Sequence, residues 1–374
     1  MNELLDRLAA FEPTPFPVIS LYLNTQADGR GRDNFDAFVR HEFKLRAKNW
    51  RLRTPERESF ERDAERISEY LRDELRPSAN GAAIFACAAE GDFFETVQTD
   101  APIEENRLFI SYQPHLYSLA RLIDEYPAYV ALVVNTNTAR LLVFGAGEEL
   151  AERSVANPNV NRTMIGGWSQ ARFQRHIDNY YLHHAKDVIA ELDWVTRQEQ
   201  IKWIVLAGDE VIIPVLREQM PQHLAERVIA VLRLEIDTPD HEVMRKSLEA
   251  VRAQDAREDS GKVAKLLEEY LGEGLAVTGA SKTLMSLTLG QVEEMMISAS
   301  FLDLRDDLKG DGASLIPAGA EAPDSESDGE ARLAAIADEL VARACQTGAQ
   351  VTFIEDAVRL AEYGGVGAKL RFRL

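Results

Sequence analysis

Two short, continuous apolar runs constrain this chain most: residues 129–134 (Tyr-Val-Ala-Leu-Val-Val) and 201–207 (Ile-Lys-Trp-Ile-Val-Leu-Ala). A strand without polar alternation must be covered on both faces, so 129–134 predicts a buried central strand and 201–207 another. Between them Phe173, Ile177, Tyr181, Ala185, Val188 and Leu192 recur at helical spacing. That stripe predicts a long helix after Gln170 with one buried face. An Asn135-Thr-Asn137 turn predicts that 139–144 returns antiparallel, and further strands are expected at 149–154 and 228–232. A charged helical stretch follows over 239–272. A central sheet with flanking helices is an α/β arrangement.

At 374 residues the chain exceeds one ordinary domain. Pro127 and the glycines at 272–274 suggest three segments: 1–126, 127–272 and 273–374. In the first, residues 18–24 alternate as a half-buried strand does. Helices are expected over 33–49 and 56–76, the second started by Thr54-Pro55-Glu56. Strands at 82–88 and 93–97 are joined by the turn residues Glu90-Gly91-Asp92. The third segment predicts helices at 280–289 and 330–346, with strands at 295–298, 350–354 and 369–374. Between them, 310–330 is rich in Gly, Ala, Pro, Ser and acids, a composition expected to stay mobile.

Charge narrows the partners. A formal net charge of -20 excludes general coating of nucleic acid, and DNA in particular, which needs a broad basic surface. RNA contact has to be local. One basic stretch runs from Arg30 to Arg57 and includes Arg40, Lys44, Arg46, Lys48 and Arg51; as plain structure it is a solvated helix face. Another spans 154–176, which holds no acid but contains Arg162, Arg172, Arg175 and His176. No apolar run has membrane-spanning length, and Met1-Asn2-Glu3 lacks a basic-then-apolar leader, so a cytoplasmic location is expected. Cys87 and Cys345 lie far apart in apolar segments and read as two buried thiols.

The second basic stretch contains Gly166-Gly167-Trp168-Ser169-Gln170, running directly into Ala171-Arg172-Phe173-Gln174-Arg175. Adjacent glycines make a tip that can move or pass close to a ligand. Two further runs accompany it, 279–298 (Gly-Ala-Ser-Lys-Thr at its start) and the pair 348–354 and 364–371. Together these resemble the archaeal and eukaryotic class of peptide-release factors and their stalled-ribosome relative Pelota, in particular the bacterial branch of that group. The resemblance covers most of 127–374 in the same order, whereas 1–126 matches in layout only.

The resemblance implies a three-domain α/β factor: a decoding-site-like first domain, a central domain with mixed sheet bearing the Gly-Gly loop, and a smaller α/β domain resembling the kink-turn-binding ribosomal-protein fold. It implies a ribosome-associated factor that hydrolyses the peptidyl-tRNA ester on stalled ribosomes. Gly166 and Gly167 would permit entry to the peptidyl-transferase centre and Gln170 would position the water. Arg162, Arg172 and Arg175 would hold RNA phosphates, with Trp168 and Ser169 at the tip against RNA. The implied partners are the ribosome and tRNA, with an elongation factor Tu-like GTPase docked through 273–374; no membrane, cofactor or metal enters.

The chain departs from the family pattern in two places. Trp168 and Ser169 separate Gly167 from Gln170, displacing the glutamine by two residues. An indole there can stack on an unpaired base, for roughly 1–3 kcal/mol, or obstruct the chemistry. As plain structure, the glycines are a turn and Ser169 caps a helix. The Asn-Ile-Lys-Ser and Tyr-x-Cys elements of stop-codon readers are absent from 1–126, which points away from stop-codon reading. Two alternatives therefore stay open: a non-catalytic A-site binder, as in Pelota-like rescue or hibernation, and a nuclease that cuts near the tRNA end. Gly274, Gly279 and Lys282-Thr283 have the wrong spacing for a phosphate-binding loop. His176, Tyr180, His183, His184 and Asp187 share three helical turns, but histidines on a helix flank are more often packing or surface residues.

Overall fold

The computed structural model describes residues 1–26, 35–99, 101–145, 148–156, 170–199, 201–308 and 328–372, with backbone alone at 2, 148–149, 156, 170–178 and 328. It is an α/β protein with three sheets, as expected. Its contacts gather into two units, 126–255 and a second made of 1–125 together with 256–374.

The chain opens with α1 (Asn2–Ala9), β1 (Val18–Asn24), α2 (Phe35–Arg46) running into a 3-10 turn at Ala47–Asn49, and α3 (Pro55–Asp73). Thr54 caps α3 by accepting the Arg57 N–H, with proline at the first helical position, as the sequence indicates. Then come β2 (Gly81–Cys87), β3 (Phe93–Thr99), β4 (Arg107–Ser111) and α4 (Tyr117–Glu125). Their strands form an antiparallel sheet in the order β3-β2-β1-β4. α1, β4 and α4 were not anticipated.

Alternation in β1 predicts one wet face, and the structure corrects this: Val18 to Leu23 are all buried. Ile19, Leu21 and Leu23 pack on Val39, Phe43, Phe60 and Ile67 of α2 and α3. The opposite face, with Tyr22, Ala83 and Phe85, is covered by Leu8, α4 and residues from the far end of the chain. The polar members survive burial because they are bonded. Ser20 Oγ accepts the His115 N–H at 2.9 Å and the Tyr22 hydroxyl donates to the His115 carbonyl at 2.6 Å.

The central segment contains β5 (Tyr129–Val134), β6 (Thr138–Gly145), β7 (Glu148–Ala156), α5 (Gln170–Gln198), β8 (Trp203–Gly208), α6 (Ile212–Gln219), α7 (Gln222–Ala225), β9 (Val228–Leu232) and α8 (Asp240–Leu271). Strand order is β7-β6-β5-β8-β9; β5, β8 and β9 are parallel and β6 and β7 antiparallel. Both apolar runs are buried central strands. On one side Val130, Leu132 and Leu206 meet Ala185, Val188 and Leu192 of α5 and Leu216 of α6. On the other, Tyr129, Val133 and Val205 meet Val243 and Val251 of α8. Asn135 Oδ1 accepts the N–H groups of Asn137 and Thr138, closing the predicted β5–β6 turn. Asp209 Oδ1 caps the unanticipated α6 through Val211 and Ile212. Gly208 is required here, since a Cβ would lie 2.0 Å from the Val134 carbonyl oxygen.

The last segment adds β10 (Ala276–Thr278), α9 (Ala280–Thr288), β11 (Val292–Ser298), α10 (Asp328–Thr347), β12 (Gln350–Ile354), α11 (Val358–Ala361) and β13 (Val366–Leu370). The sheet order is β10-β13-β11-β12, with β11 and β12 parallel. The last strand lies at 366–370 rather than 369–374. Val366, Gly367 and Ala368 are buried between β10 and β11. Gly367 sits tightly there, since a Cβ would lie 2.8 Å from Leu266 Cδ2. α10 also begins inside the stretch expected to be mobile, at 328; residues 309–327 lie outside the described residues.

Candidate functional site

Arg162, Gly166, Gly167, Trp168 and Ser169 lie outside the described residues, as does the whole stretch 157–169. What is described is the frame that carries them. β7, an edge strand paired along its length with β6, ends at Ala156, and α5 starts at Gln170. α5 is 29 residues, about 44 Å at 1.5 Å per residue. Its buried stripe at Ala185, Val188, Leu192 and Val195 fixes its C-terminal half to the sheet. The side chains of Gln170, Arg172, Phe173, Arg175, His176 and Ile177 are not among those described.

The histidine cluster separates. His183 and Asp187 are exposed on α5, whereas His184 is fully buried with Nε2 3.2 Å from the Asn135 carbonyl oxygen. Burial holds the His184 pKa below its ordinary value, keeping the ring neutral. Among the described residues no three His, Cys, Asp or Glu side chains are placed to hold a metal ion. Cys87 is buried and Cys345 only half-buried, and burial raises both thiols to about 11.

The basic stretch of the first segment sorts into two groups. Arg46 bonds Glu42 at 3.4 Å, while Arg57 bonds Glu61 at 2.8 Å and the Trp50 carbonyl at 3.3 Å. Arg40, Lys44, Lys48, Arg51 and Arg53 are exposed and have no ion pair with another described residue. Arg40 and Lys44 stand one turn apart on α2, opposite the buried Phe35, Val39 and Phe43. Arg51 and Arg53 flank Leu52, which is 74% exposed, and Arg53 has φ 65. Trp50 stacks on Phe60 with centroids 5.0 Å apart and anchors this turn. The result is a compact set of exposed cations on a protein of net charge -20.

One feature was invisible in the sequence: a cleft of about 160 Å³ between α4 and the turn after β11, whose walls include Tyr22, Arg107, Tyr117, Ser118, Arg121 and Phe301. Behind it the buried His115 meets Asp338, 223 residues away on α10. No spacing rule reaches across such a separation.

The fold and the exposed cations describe a multi-segment α/β protein with a local basic surface. Residues 114–252 match the profile of bacterial archaeo-eukaryotic release factor family 10. That matched segment contains the 166–175 sequence, which resembles the bacterial branch of the release-factor group. No curated protein matches it. Among solved structures it is similar to an archaeal translation termination factor, with 18% identity over 99% of this chain and 96% of that one, TM-score 0.27. Pelota of Archaeoglobus fulgidus shows 16% identity over 80% and 82%, TM-score 0.33. Dom34 of S. cerevisiae, described as a translation termination-like factor interacting with Hbs1, shows 10% identity over 79% of each chain, TM-score 0.42.

Proposed function

We propose that the protein works in the ribosomal A site as a release or rescue factor, promoting hydrolysis of the peptidyl-tRNA ester on stalled ribosomes. The observation that carries the reading is the family match over 114–252, the segment that contains the Gly166–Gln170 loop. In this reading segment 127–272 brings the tip to the ester. Gly166 and Gly167 let it pass and Gln170 places the attacking water, with ribosomal RNA supplying much of the stabilisation. Arg162, Arg172 and Arg175 hold phosphates near the tip, and Trp168 and Ser169 lie against RNA. Segment 1–126 sits in the decoding site with Arg40, Lys44, Lys48 and Arg51 on phosphates, joined by Arg46 when its bond to Glu42 is released. Segment 273–374 docks an elongation factor Tu-like GTPase, and the work is cytoplasmic.

A second reading rests on one observation, the displacement of Gln170 by Trp168 and Ser169. The tip would then occupy the site without chemistry. Purified protein added to ribosomes carrying labelled peptidyl-tRNA separates the outcomes. Free peptide with intact tRNA, lost in Gln170→Ala, supports the hydrolase, and binding alone supports the occupancy factor. Cut tRNA would make it a nuclease. Failure to sediment with ribosomes at moderate salt removes both readings.

A further inference from the structure

Around the first turn of α4 lies an arrangement for which the proposed function has no use. His115 is 1% exposed and held from every side. Its N–H donates to Ser20 Oγ, its carbonyl accepts the Tyr22 hydroxyl, and its ring stacks on Phe109 with centroids 3.5 Å apart and planes 16° apart. Nδ1 faces Asp338 Oδ2. The other carboxylate oxygen, Oδ1, accepts the Leu116 and Tyr117 N–H groups at 2.8 and 2.9 Å. A carboxylate so fixed accepts from Nδ1–H and leaves Nε2 as the ring's acceptor. Nε2 lies 3.2 Å from Ser118 Oγ, and Ser118 opens onto the 160 Å³ cleft.

A clamp between α4 and α10 would need only the Asp338 bonds to His115, Leu116 and Tyr117. It would not need a hydroxyl on the ring's second nitrogen that faces a cleft. A further observation points to a ligand. Arg121 stands one turn beyond Ser118 on the same face of α4, and its Nε is buried with no hydrogen-bond acceptor among the described residues. Its Nη2 meets Glu104 at 3.6 Å and Glu355 at 3.4 Å, and Arg107 pairs with Glu105 at 2.7 Å. The two guanidinium charges are thereby largely balanced, and Phe301 and Leu122 provide apolar wall. The cleft suits a small, uncharged acyl group with one hydrogen-bond acceptor.

We propose that Ser118, His115 and Asp338 form a nucleophilic site for short-chain acyl esters. Ser118 Oγ attacks the acyl carbon as its proton passes to His115 Nε2, and the carbonyl electron pair moves to oxygen, where the Arg121 guanidinium that lines the cleft donates. Collapse expels the alcohol oxygen, which takes the proton from Nε2 and leaves an acyl-Ser118 ester. Water, deprotonated by the same nitrogen, then attacks this ester, releasing the carboxylic acid and restoring Ser118. Asp338 accepts the Nδ1–H throughout. The sum is ester plus water to acid plus alcohol.

The test uses the full chain without ribosomes, so its outcome is separate from that of the proposed function. A fluorophosphonate probe is expected to label Ser118, located by peptide mass spectrometry, and p-nitrophenyl butyrate to be hydrolysed. Ser118→Ala should abolish labelling and lower turnover by at least about 100-fold with unchanged thermal unfolding. Ser118→Cys gives an independent readout: iodoacetamide alkylation should level off well below the ordinary thiol value of about 8.5, because a free imidazole beside the sulfur favours thiolate. An unlabelled Ser118, Ser118→Ala turning over ester at the wild-type rate, or an ordinary-thiol alkylation profile in Ser118→Cys would each overturn the proposal.

Discussion

The central five-stranded sheet and the N-terminal four-stranded sheet are both buried on two faces, but what covers them differs. α5, α6 and α8 cover the central sheet and lie within about a hundred residues of its strands. One face of the N-terminal sheet is covered locally by α2 and α3, while the other belongs to a core shared with α1, α4 and, from the far end of the chain, α10. Local covering writes itself into the sequence as an unbroken apolar strand and a helical stripe. Remote covering is recorded in the choice of polar groups that can be satisfied only after folding. Ser20 and Tyr22 look like a wet face in β1 and are instead the acceptor and donor that hold His115.

The largest effect is expected from Asp338→Ala. It removes the acceptor of two buried N–H groups and of His115 at once, and each buried donor left unsatisfied costs about 1–3 kcal/mol. Urea unfolding should show that loss, and hydrogen exchange should place it in β1, α4 and α10 with β5 and β8 unchanged. Equal acceleration in β5 and β8 would mean that the two sheets do not open separately. The converse is Leu192→Ala. Leu192 is fully buried under the central sheet, so a cost of about 2–4 kcal/mol is expected, with exchange confined to α5, β5 and β6.

These substitutions also mark what was legible. The strands at 129–134 and 350–354, the Thr54 cap and the stripe of α5 each carry their signal within a short run of consecutive residues. Each was found in the sequence. α1 and α4 were not, because their apolar residues face a core completed by distant segments, and β4 is short and only half-buried along its length. The candidate tip was legible as composition, two glycines in a stretch without acids, although its side chains lie outside the described residues. The Ser118 site is the reverse. Its geometry is plain, but His115 and Asp338 are 223 positions apart and nothing local distinguishes either.

A pH series tests the face of the N-terminal sheet that α3 covers. Asp63 on α3 is 1% exposed, Oδ2 accepts the Ala88 N–H at 3.0 Å, and Oδ1 has no partner among the described residues. Desolvation raises its pKa from 3.8 to about 6, with the Ala88 bond acting in the opposite sense. A carboxyl whose folded pKa is raised binds its proton more tightly when folded. Its stabilising contribution is present below about pH 4 and is lost as pH rises through about 6. Asp63→Asn keeps the acceptor and stays neutral, so it should flatten that slope. At pH 8 it should stabilise the protein by about 1–2 kcal/mol, a figure discounted for solvent screening. Denaturant midpoints at pH 4 and pH 8 check it, and a slope identical to wild type would show that Asp63 titrates normally.

The smallest effect tests the most local signal. Thr54 accepts the Arg57 N–H at 3.4 Å, a long bond, so Thr54→Ala should cost about 0.5–1 kcal/mol, the low end for a lost cap. It removes no contact with the other face of the sheet, and exchange should rise only in the first turn of α3. Position matters more than size here. Arg57, whose N–H the cap holds, also bonds the Trp50 carbonyl, and Trp50 stacks on Phe60 beneath the Arg51–Leu52–Arg53 turn. If that turn is a phosphate contact, fraying α3 weakens ribosome association at moderate salt more than its stability cost implies. Restoring the cap with Thr54→Ser should recover both readouts together. Recovery of stability without association would detach the basic turn from ribosome binding.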